Sequence, residues 1–294
     1  MPSKRRSLSD DAIVRLVNEA LAVEAEAAKD ADALGFLARA MVQATMPHRR
    51  VEGNEFERRN GAFRLSILAP ARIGLPYGSV PRLLLAWLTT EAVRTKSRDL
   101  ELGDSLSAFM RELGLSVTGG KRGYIRAVKE QMLRLFAATV SCMYEDDDKT
   151  ALLGYRVADR TMLWWHAKSP EQAALWRSTV TLSEQFYAEV VNRPVPVDMR
   201  ALRALKQSPL ALDLYAWATY RTSYLNRQTT IPWAALAAQF GSDYGRLRDF
   251  KAALVAELRK VEIVYPDLRA APGDDGLTLL PSKPHVARLP RKSP

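Results

Sequence analysis

The sequence predicts a mainly helical α+β protein, with two tandem winged-helix domains behind a helical N-terminal arm. Two observations support this fold class. The order helix, strand, short helix, long helix and β-hairpin occurs twice along the 294 residues. The segment 85–89 (LAWLT) also recurs as 215–219 (YAWAT), each time inside a helix of high apolar content. The length agrees with two domains, because a single domain commonly has about 100–200 residues.

Residues 1–60 are predicted to form the helical arm and a linker. Ser9 can cap a helix, and apolar residues keep a helical spacing from Ile13 onward, so we predict helix over residues 9–46 with a break near Gly35. Residues 47–61 are polar and lack periodicity, which indicates a linker.

The first winged-helix domain is predicted over residues 61–175. Pro81 suits the first turn of a helix, and Ser105 can cap a short helix that stops at Gly114. The predicted elements are a strand at 63–68, a helix at 80–96, a strand at 98–102, helices at 105–113 and 121–137, and a hairpin over 139–165.

The second winged-helix domain is predicted over residues 176–281, followed by a basic, Pro-rich, disordered tail at 282–294. Its long helix repeats the apolar spacing of the first, with steps of three, four and four residues, which supports a duplication. The apolar positions are Ile125, Val128, Met132 and Phe136 in the first helix, and Leu247, Phe250, Leu254 and Leu258 in the second. The predicted elements are a strand at 179–182, helices at 183–191, 198–206 and 209–225, a strand at 229–232, helices at 233–240 and 244–261, and a wing over 263–281.

The charge distribution favours a polyanionic partner. The net charge is +10, and the excess lies in residues 61–140, with 12 basic against 6 acidic side chains, and in residues 181–262, with 11 against 8. These two blocks contain the predicted helix pairs, so nucleic acid is the expected partner. A basic protein without such a partner remains the alternative from composition alone.

Polar side chains off the apolar stripes are the candidate DNA contacts. The N-terminal half of a recognition helix meets base edges in the major groove, where arginine can bond guanine through two parallel hydrogen bonds. Wings often contact phosphates or the minor groove. The candidates on the two helices are Lys121, Arg122, Tyr124, Arg126, Lys129, Ser242, Tyr244, Arg246, Arg248 and Lys251, and those on the wings are Arg156, Arg160 and Arg269.

Signals of enzymatic, metal or membrane function are missing from the sequence. The single cysteine, Cys142, cannot form an internal disulfide, and the three histidines lie far apart with no metal-ligand spacing. No nucleophile motif, phosphate-binding loop or dinucleotide fingerprint occurs. No apolar run is long enough to span a membrane. We therefore expect a cytoplasmic protein that is not an enzyme and has no cofactor, metal or membrane partner.

Three segments carry a family resemblance: residues 74–93 (GLPYGSVPRLLLAWLTTEAV), 102–115 (LGDSLSAFMRELGL) and 118–123 (TGGKRG). They resemble RepA-type replication initiators of plasmids. The resemblance implies binding to direct repeats (iterons) of a plasmid origin, opening of a neighbouring A·T-rich segment, and recruitment of the host initiator and replicative helicase. It also implies autorepression as a homodimer in equilibrium with a monomer. In related initiators the first winged helix often forms the dimer interface. In that case Arg246, Arg248 and Lys251 would be the main residues that recognise the DNA sequence.

Three alternatives remain open from the sequence. A transcriptional repressor would use the same DNA contacts without a role in replication. A nicking enzyme would require clustered histidine ligands and a tyrosine nucleophile, and no such cluster is found. An RNA-binding or scaffolding module would bind unrelated RNA in competition with DNA.

Overall fold

The computed structural model describes residues 33–103, 105–118, 124–148, 150–163, 178–192, 194–241 and 244–286. Of these residues 43% lie in helices and 25% in strands, which confirms a mixed fold with more helix than strand. The described helices are α1 (Arg39–Gln43), α2 (Ser79–Thr95), α3 (Leu106–Glu112), α4 (Tyr124–Ala137), α5 (Glu184–Asn192), α6 (Met199–Ala204), α7 (Pro209–Thr222), α8 (Trp233–Phe240) and α9 (Leu247–Val264). The described strands are β1 (Leu34–Leu37), β2 (Glu55–Asn60), β3 (Phe63–Leu68), β4 (Asp99–Glu101), β5 (Thr139–Glu145), β6 (Thr150–Arg156), β7 (Ala158–Met162), β8 (Thr179–Leu182), β9 (Val195–Asp198), β10 (Thr229–Pro232), β11 (Ala270–Pro272) and β12 (Gly276–Leu279).

The described part of the N-terminal arm is not a continuous helix, so the helix prediction is wrong over β1. This strand pairs antiparallel with β9, with Leu34 opposite Asp198. The Phe36 backbone N–H donates to Thr90 Oγ1 of α2 at 2.9 Å. Pairing with a strand far along the chain and packing against α2 therefore outweigh the local helical periodicity. Residues 9–32 of the predicted arm lie outside the described residues.

The predicted linker contains a strand, β2, and the prediction of an irregular segment is wrong there. β2 lies at the edge of an antiparallel sheet in the order β2-β3-β5-β6. Only Phe56 of its six residues is buried. The polar sequence EFERRN therefore lacks the alternation that usually indicates a strand.

The predicted hairpin over 139–165 is confirmed for β5 and β6 and wrong beyond Arg156. Val157 is fully buried, and it interrupts the strand. The next strand, β7, pairs with β8, which pairs with β4 in a separate sheet. The Ser183 backbone N–H donates to the Val157 carbonyl at 3.2 Å and fixes the change of sheet. The end of the predicted hairpin, residues 164 and 165, lies outside the described residues.

Most predicted elements of the second half are confirmed, and β10 and α8 have the predicted bounds. The strand β9 was not predicted, and α9 begins and ends three residues later than predicted, so it extends into the predicted wing. The predicted disorder of the tail is wrong over residues 282–286, because His285 lies 2.7 Å from Tyr215 Oη and stacks on Tyr265. Ser208 caps α7 through its side chain, which accepts from the Ala211 N–H at 3.2 Å, and Pro209 occupies the first turn. The strands β10, β12 and β11 form an antiparallel sheet in that order. The chain thus runs helix, strand, helix, helix and hairpin from α7 to β12.

The long helices α2 and α7 are buried along most of their length, within one continuous hydrophobic core. Trp87 of α2 packs edge-on against Phe109 of α3, with ring centroids 4.9 Å apart. Trp217 of α7 packs edge-on against Phe240 of α8 at 5.6 Å. The two tryptophans are the pair aligned from the sequence, and each meets the short helix of its own half. No helix within the described ranges is long and apolar enough to cross a membrane.

Candidate nucleic-acid interface

The exposed residues at the start of α9 form the best-defined candidate surface, hereafter the reading surface: Tyr244, Arg246, Leu247 and Arg248. The Arg246 and Arg248 side chains are 64% and 73% exposed. Asp249 lies beside both: its carboxylate is 2.8 Å from Arg246 Nε and 3.6 Å from Arg248 Nε. Asp249 also favours the positive end of the helix dipole. Asp249 therefore orients Arg246 through a hydrogen bond, and Arg248 lies near the same carboxylate.

The apolar members of the reading surface extend beyond the core. The Tyr244 ring contacts Phe250 edge-on at 5.6 Å. Leu247 was predicted to begin the buried stripe of α9, and that prediction is wrong, because Leu247 is 49% exposed and burial starts at Phe250. The first turn of α9 thus projects past the packed part of the helix. An exposed apolar side chain between two arginines can contact a thymine methyl group in the major groove.

Lys251 connects α9 to the hairpin of the second half. Its Nζ donates to the Gly273 carbonyl at 3.0 Å and lies 4.9 Å from the centre of the Trp233 ring. Trp233 Nε1 donates to the same carbonyl at 3.0 Å. Gly273 belongs to the turn between β11 and β12, so Lys251 and Trp233 hold this turn against α8 and α9. This contact gives Lys251, predicted as a DNA contact, a structural role.

Arg269 lies at the base of the β11–β12 hairpin. Its backbone N–H donates to Ser282 Oγ at 3.0 Å, and its carbonyl accepts from the Leu280 N–H. The opposite end of the hairpin has the exposed residues Asp274 and Asp275. The acidic turn of this hairpin repels phosphate. The exposed basic residue of the hairpin, Arg269, lies at the end opposite to that turn.

The candidate residues of the first half lie on α4 or outside the described residues. Tyr124, at the start of α4, is half-buried and packs against the core, and its N–H donates to Thr118 Oγ1 at 3.2 Å. Arg126 is exposed, and Lys129 is half-buried. The stripe of Val128, Met132 and Phe136 is buried as predicted, with Ile125 half-buried against it. The candidates outside the described residues are Lys121, Arg122 and Ser242.

The two predicted wing arginines of the first half do not share one sheet. Arg156 is exposed at the end of β6, and Arg160 is exposed on β7. β6 belongs to the four-stranded sheet and β7 to the sheet with β8 and β4. The structure thus brings Tyr244, Arg246 and Arg248 together at the start of α9 and leaves Lys251 and Arg269 at the hairpin. The described candidates of the first half are distributed over α4, β6 and β7.

Two basic residues that sequence reasoning missed connect the halves. Arg203 Nη2 and Lys206 Nζ donate to the carbonyls of Glu112 and Gly114 at 2.9 and 2.6 Å, at the end of α3. Cations are favourable at a helix C-terminus because of the helix dipole. Gly114 has φ 70°, and a Cβ there would lie 2.8 Å from the Arg203 side chain. Gly114 thus allows this close approach, which no local sequence signal indicates.

The buried thiol and the acidic groups offer no further site within the described ranges. Burial raises the pKa of the Cys142 thiol to about 11, although its hydrogen bond with Tyr155 acts in the opposite direction. No three His, Cys, Asp or Glu residues in the described part of the chain are grouped so as to hold a metal ion.

Comparison with known proteins places this chain among plasmid replication initiators. In particular, the chain belongs to the family of plasmid-encoded RepA proteins, whose family model matches residues 75–235. This confirms the resemblance found in the sequence. No curated protein matches the chain.

The solved structures that share the fold include two of RctB. A crystal structure of selenomethionine derivatives of domains 2 and 3 of RctB has a TM-score of 0.55 and 12% identity, and the match covers 84% of this chain and 98% of that one. A crystal structure of RctB domains 2–3 has a TM-score of 0.50 and 11% identity, with 81% and 94% covered. At this identity the likeness concerns the fold alone.

Proposed function

We propose that the protein starts plasmid replication by binding duplex DNA at direct repeats of the plasmid origin. The observation that carries this proposal is the exposed start of α9, where Arg246 and Arg248 project from a helix that follows the short helix α8. The order α7, β10, α8, α9 and hairpin is that of a winged helix, in which this end of the second helix lies in the major groove. Membership in the RepA family supports the biological context.

The proposal includes another winged-helix unit, which lies in the first half of the chain. The order α2, β4, α3, α4 and the β5–β6 hairpin repeats that of the second half, and Arg126 is exposed near the start of α4. The hairpin differs, because it joins β3 and β2 rather than β4. Two such units on one chain reach two major-groove faces about one helical turn apart.

A homodimer in equilibrium with a monomer is the second part of the proposal. β6 is an edge strand, and Leu152 and Leu153 are 71% and 43% exposed there. An exposed apolar edge strand favours pairing with another chain. Since this edge belongs to the first half, a dimer formed here leaves the reading surface of the second half accessible, which suits autorepression by the dimer.

Origin opening and recruitment of the host initiator and helicase complete the proposal. Both rest on the family relationship. The protein would perform them in the cytoplasm by binding and deforming DNA, without a catalytic step of its own, because the strain of contacting two grooves can favour bending or melting.

Binding to a duplex with the plasmid's own origin repeats, compared with a scrambled duplex over a salt series, tests the proposal. We expect a sequence preference that persists at physiological salt. Equal and steeply salt-dependent binding to both duplexes would contradict it, because that result is typical of phosphate contacts alone. Plasmid maintenance by a strain with the gene deleted would then separate an initiator from a repressor that binds the same DNA.

A further inference from the structure

One buried arginine joins the two halves with every hydrogen-bond donor that it has. Arg82 of α2 directs Nε and Nη2 at the two carboxylate oxygens of Asp213 on α7, both at 2.7 Å. Its remaining donors reach the carbonyls of Met46, Pro47 and Gly78 at 2.7–3.2 Å. A guanidinium has five N–H donors, and all five are used. The planar guanidinium group therefore defines both the relative orientation of α2 and α7 and the distance between them.

Asp213 is bonded to both of its basic neighbours. His48 Nε2 lies 2.7 Å from Asp213 Oδ2, and all three side chains are close to fully buried. Burial alone would raise the pKa of Asp213, but the charge of Arg82 and the hydrogen bonds with His48 and Arg82 keep it below its usual range. The carboxylate is therefore ionised, and the charged pair persists at neutral pH.

The contacts around this pair lie between the same two halves. Arg203 of α6 and Lys206, which follows this helix, donate to carbonyls at the end of α3. Thr45 Oγ1 donates to the Gln239 carbonyl at the end of α8 at 3.2 Å, and Gln239 Nε2 donates to the Gln43 carbonyl at 2.8 Å. The segment before β2 thus contacts the helix that precedes the reading surface. The short helix α3 is consequently bonded to the second half, and the short helix α8 to the segment before β2.

We propose that the Arg82–Asp213 pair sets the spacing between the two DNA-binding units, and therefore the number of base pairs between the two half-sites that one chain reads. This inference rests on the proposed function. One added base pair moves a half-site by about 3.4 Å and rotates it by about 35°, since a helical turn has 10–10.5 base pairs. Two units held by a directional bond cannot follow that rotation. Apolar residues in the same place would keep the halves packed without a directional hydrogen bond between α2 and α7.

The test compares the wild type with the double variant R82M/D213L. Replacing both partners avoids leaving one buried charge without its partner, which would endanger folding. The matched control is E257L/K260M, because Glu257 and Lys260 form a 2.7 Å ion pair of largely buried side chains within α9, inside the second half. Affinity is measured on origin duplexes with zero, one or two base pairs inserted between the two segments that the wild type protects from hydroxyl radicals.

We expect one inserted base pair to weaken wild-type and control binding at least tenfold, and binding by R82M/D213L less than threefold. A folded double variant with the wild-type spacing profile would overturn the inference. Absence of sequence preference in the wild type would instead contradict the proposed function, so the two failures are distinguishable.

A second measurement uses no DNA and keeps the inference testable if the double variant binds poorly. Spin labels at Thr150 and Asp274, both exposed and one in each half, report the distance between the halves in a Cys142→Ser background. We expect a narrow distance distribution in the wild type and in E257L/K260M, and a broadened one in R82M/D213L. If R82M/D213L is unfolded by circular dichroism, R82K, which keeps the charge but lacks the fork, takes its place in both assays. An unchanged distribution in the folded variant would refute the inference.

Discussion

Replacing Arg248 by alanine should weaken sequence-specific DNA binding more than any other single change at the reading surface. The side chain is 73% exposed, and its contact with Asp249 is 3.6 Å long, so little folding stability depends on it. We expect the stability to change by less than about 0.5 kcal/mol. A base contact made through two hydrogen bonds is worth about 1–3 kcal/mol, so affinity for the origin duplex should fall about 5- to 150-fold.

The assay is fluorescence anisotropy with the origin duplex and the scrambled duplex at several salt concentrations. Arg259→Ala is the matched control: Arg259 is also exposed on α9, and eleven residues, or about three turns, place it on the same face. The control removes the same charge far from the end of the helix that enters the groove.

Two results would refute this reasoning. If both variants lose the same affinity, the start of α9 is not the end that reads bases. If Arg248→Ala lowers the affinity for both duplexes equally, and the magnitude of the slope of log K against log salt falls by about 0.9, Arg248 contacts a phosphate instead of a base.

Four further predictions follow from contacts and burial already described. Arg126→Ala should weaken origin binding about five- to tenfold if the first half also reads DNA, and leave it unchanged in a dimer that binds only through the second half. Lys251→Met should speed amide exchange in residues 270–279 by about tenfold, because a charge-assisted hydrogen bond to the hairpin turn is lost. Burial lowers the pKa of His48 and of His285 below 6.5, so the unfolded chain binds more protons in acid. The melting temperature should therefore fall as the pH drops below about 6.5, and fall less in H48Q/H285Q. Cys142 should react with iodoacetamide at pH 8 only after unfolding, as mass spectrometry would show.

The second half could be predicted because its signals are local. Ser208 before Pro209 indicates a helix start, and the run 229–240 contains a short strand and an apolar helix with clear ends. Such signals depend on neighbouring residues alone, and the structure agrees with them within a residue or two. Leu247 is the exception: periodicity places it on the apolar face, but periodicity does not show where the core ends.

The missed features depend on residues that are distant in the sequence. β1 has a helical pattern and becomes a strand because β9 is available to pair with it. His48 looks isolated in the sequence, and its partner Asp213 lies on another helix. Lys251 was predicted as a DNA contact on its charge and helix face, which do not reveal the Gly273 carbonyl beside it. The candidate site was thus predictable as a helix end, and the contacts that position it were not.

The pairing of β1 with β9 has a consequence for synthesis on the ribosome. Asp198 follows its partner Leu34 by roughly 160 positions, and translation at about 5–20 residues per second separates the emergence of the two strands by about 8–30 s. From its own synthesis until the end of this interval, Arg82 has its backbone acceptors but lacks the Asp213 carboxylate. In nascent chains that end before α7, the first half lacks its contacts with the second half. We therefore expect proteases to cut the first half of such chains. The origin would then be bound only by chains whose translation has reached the second half.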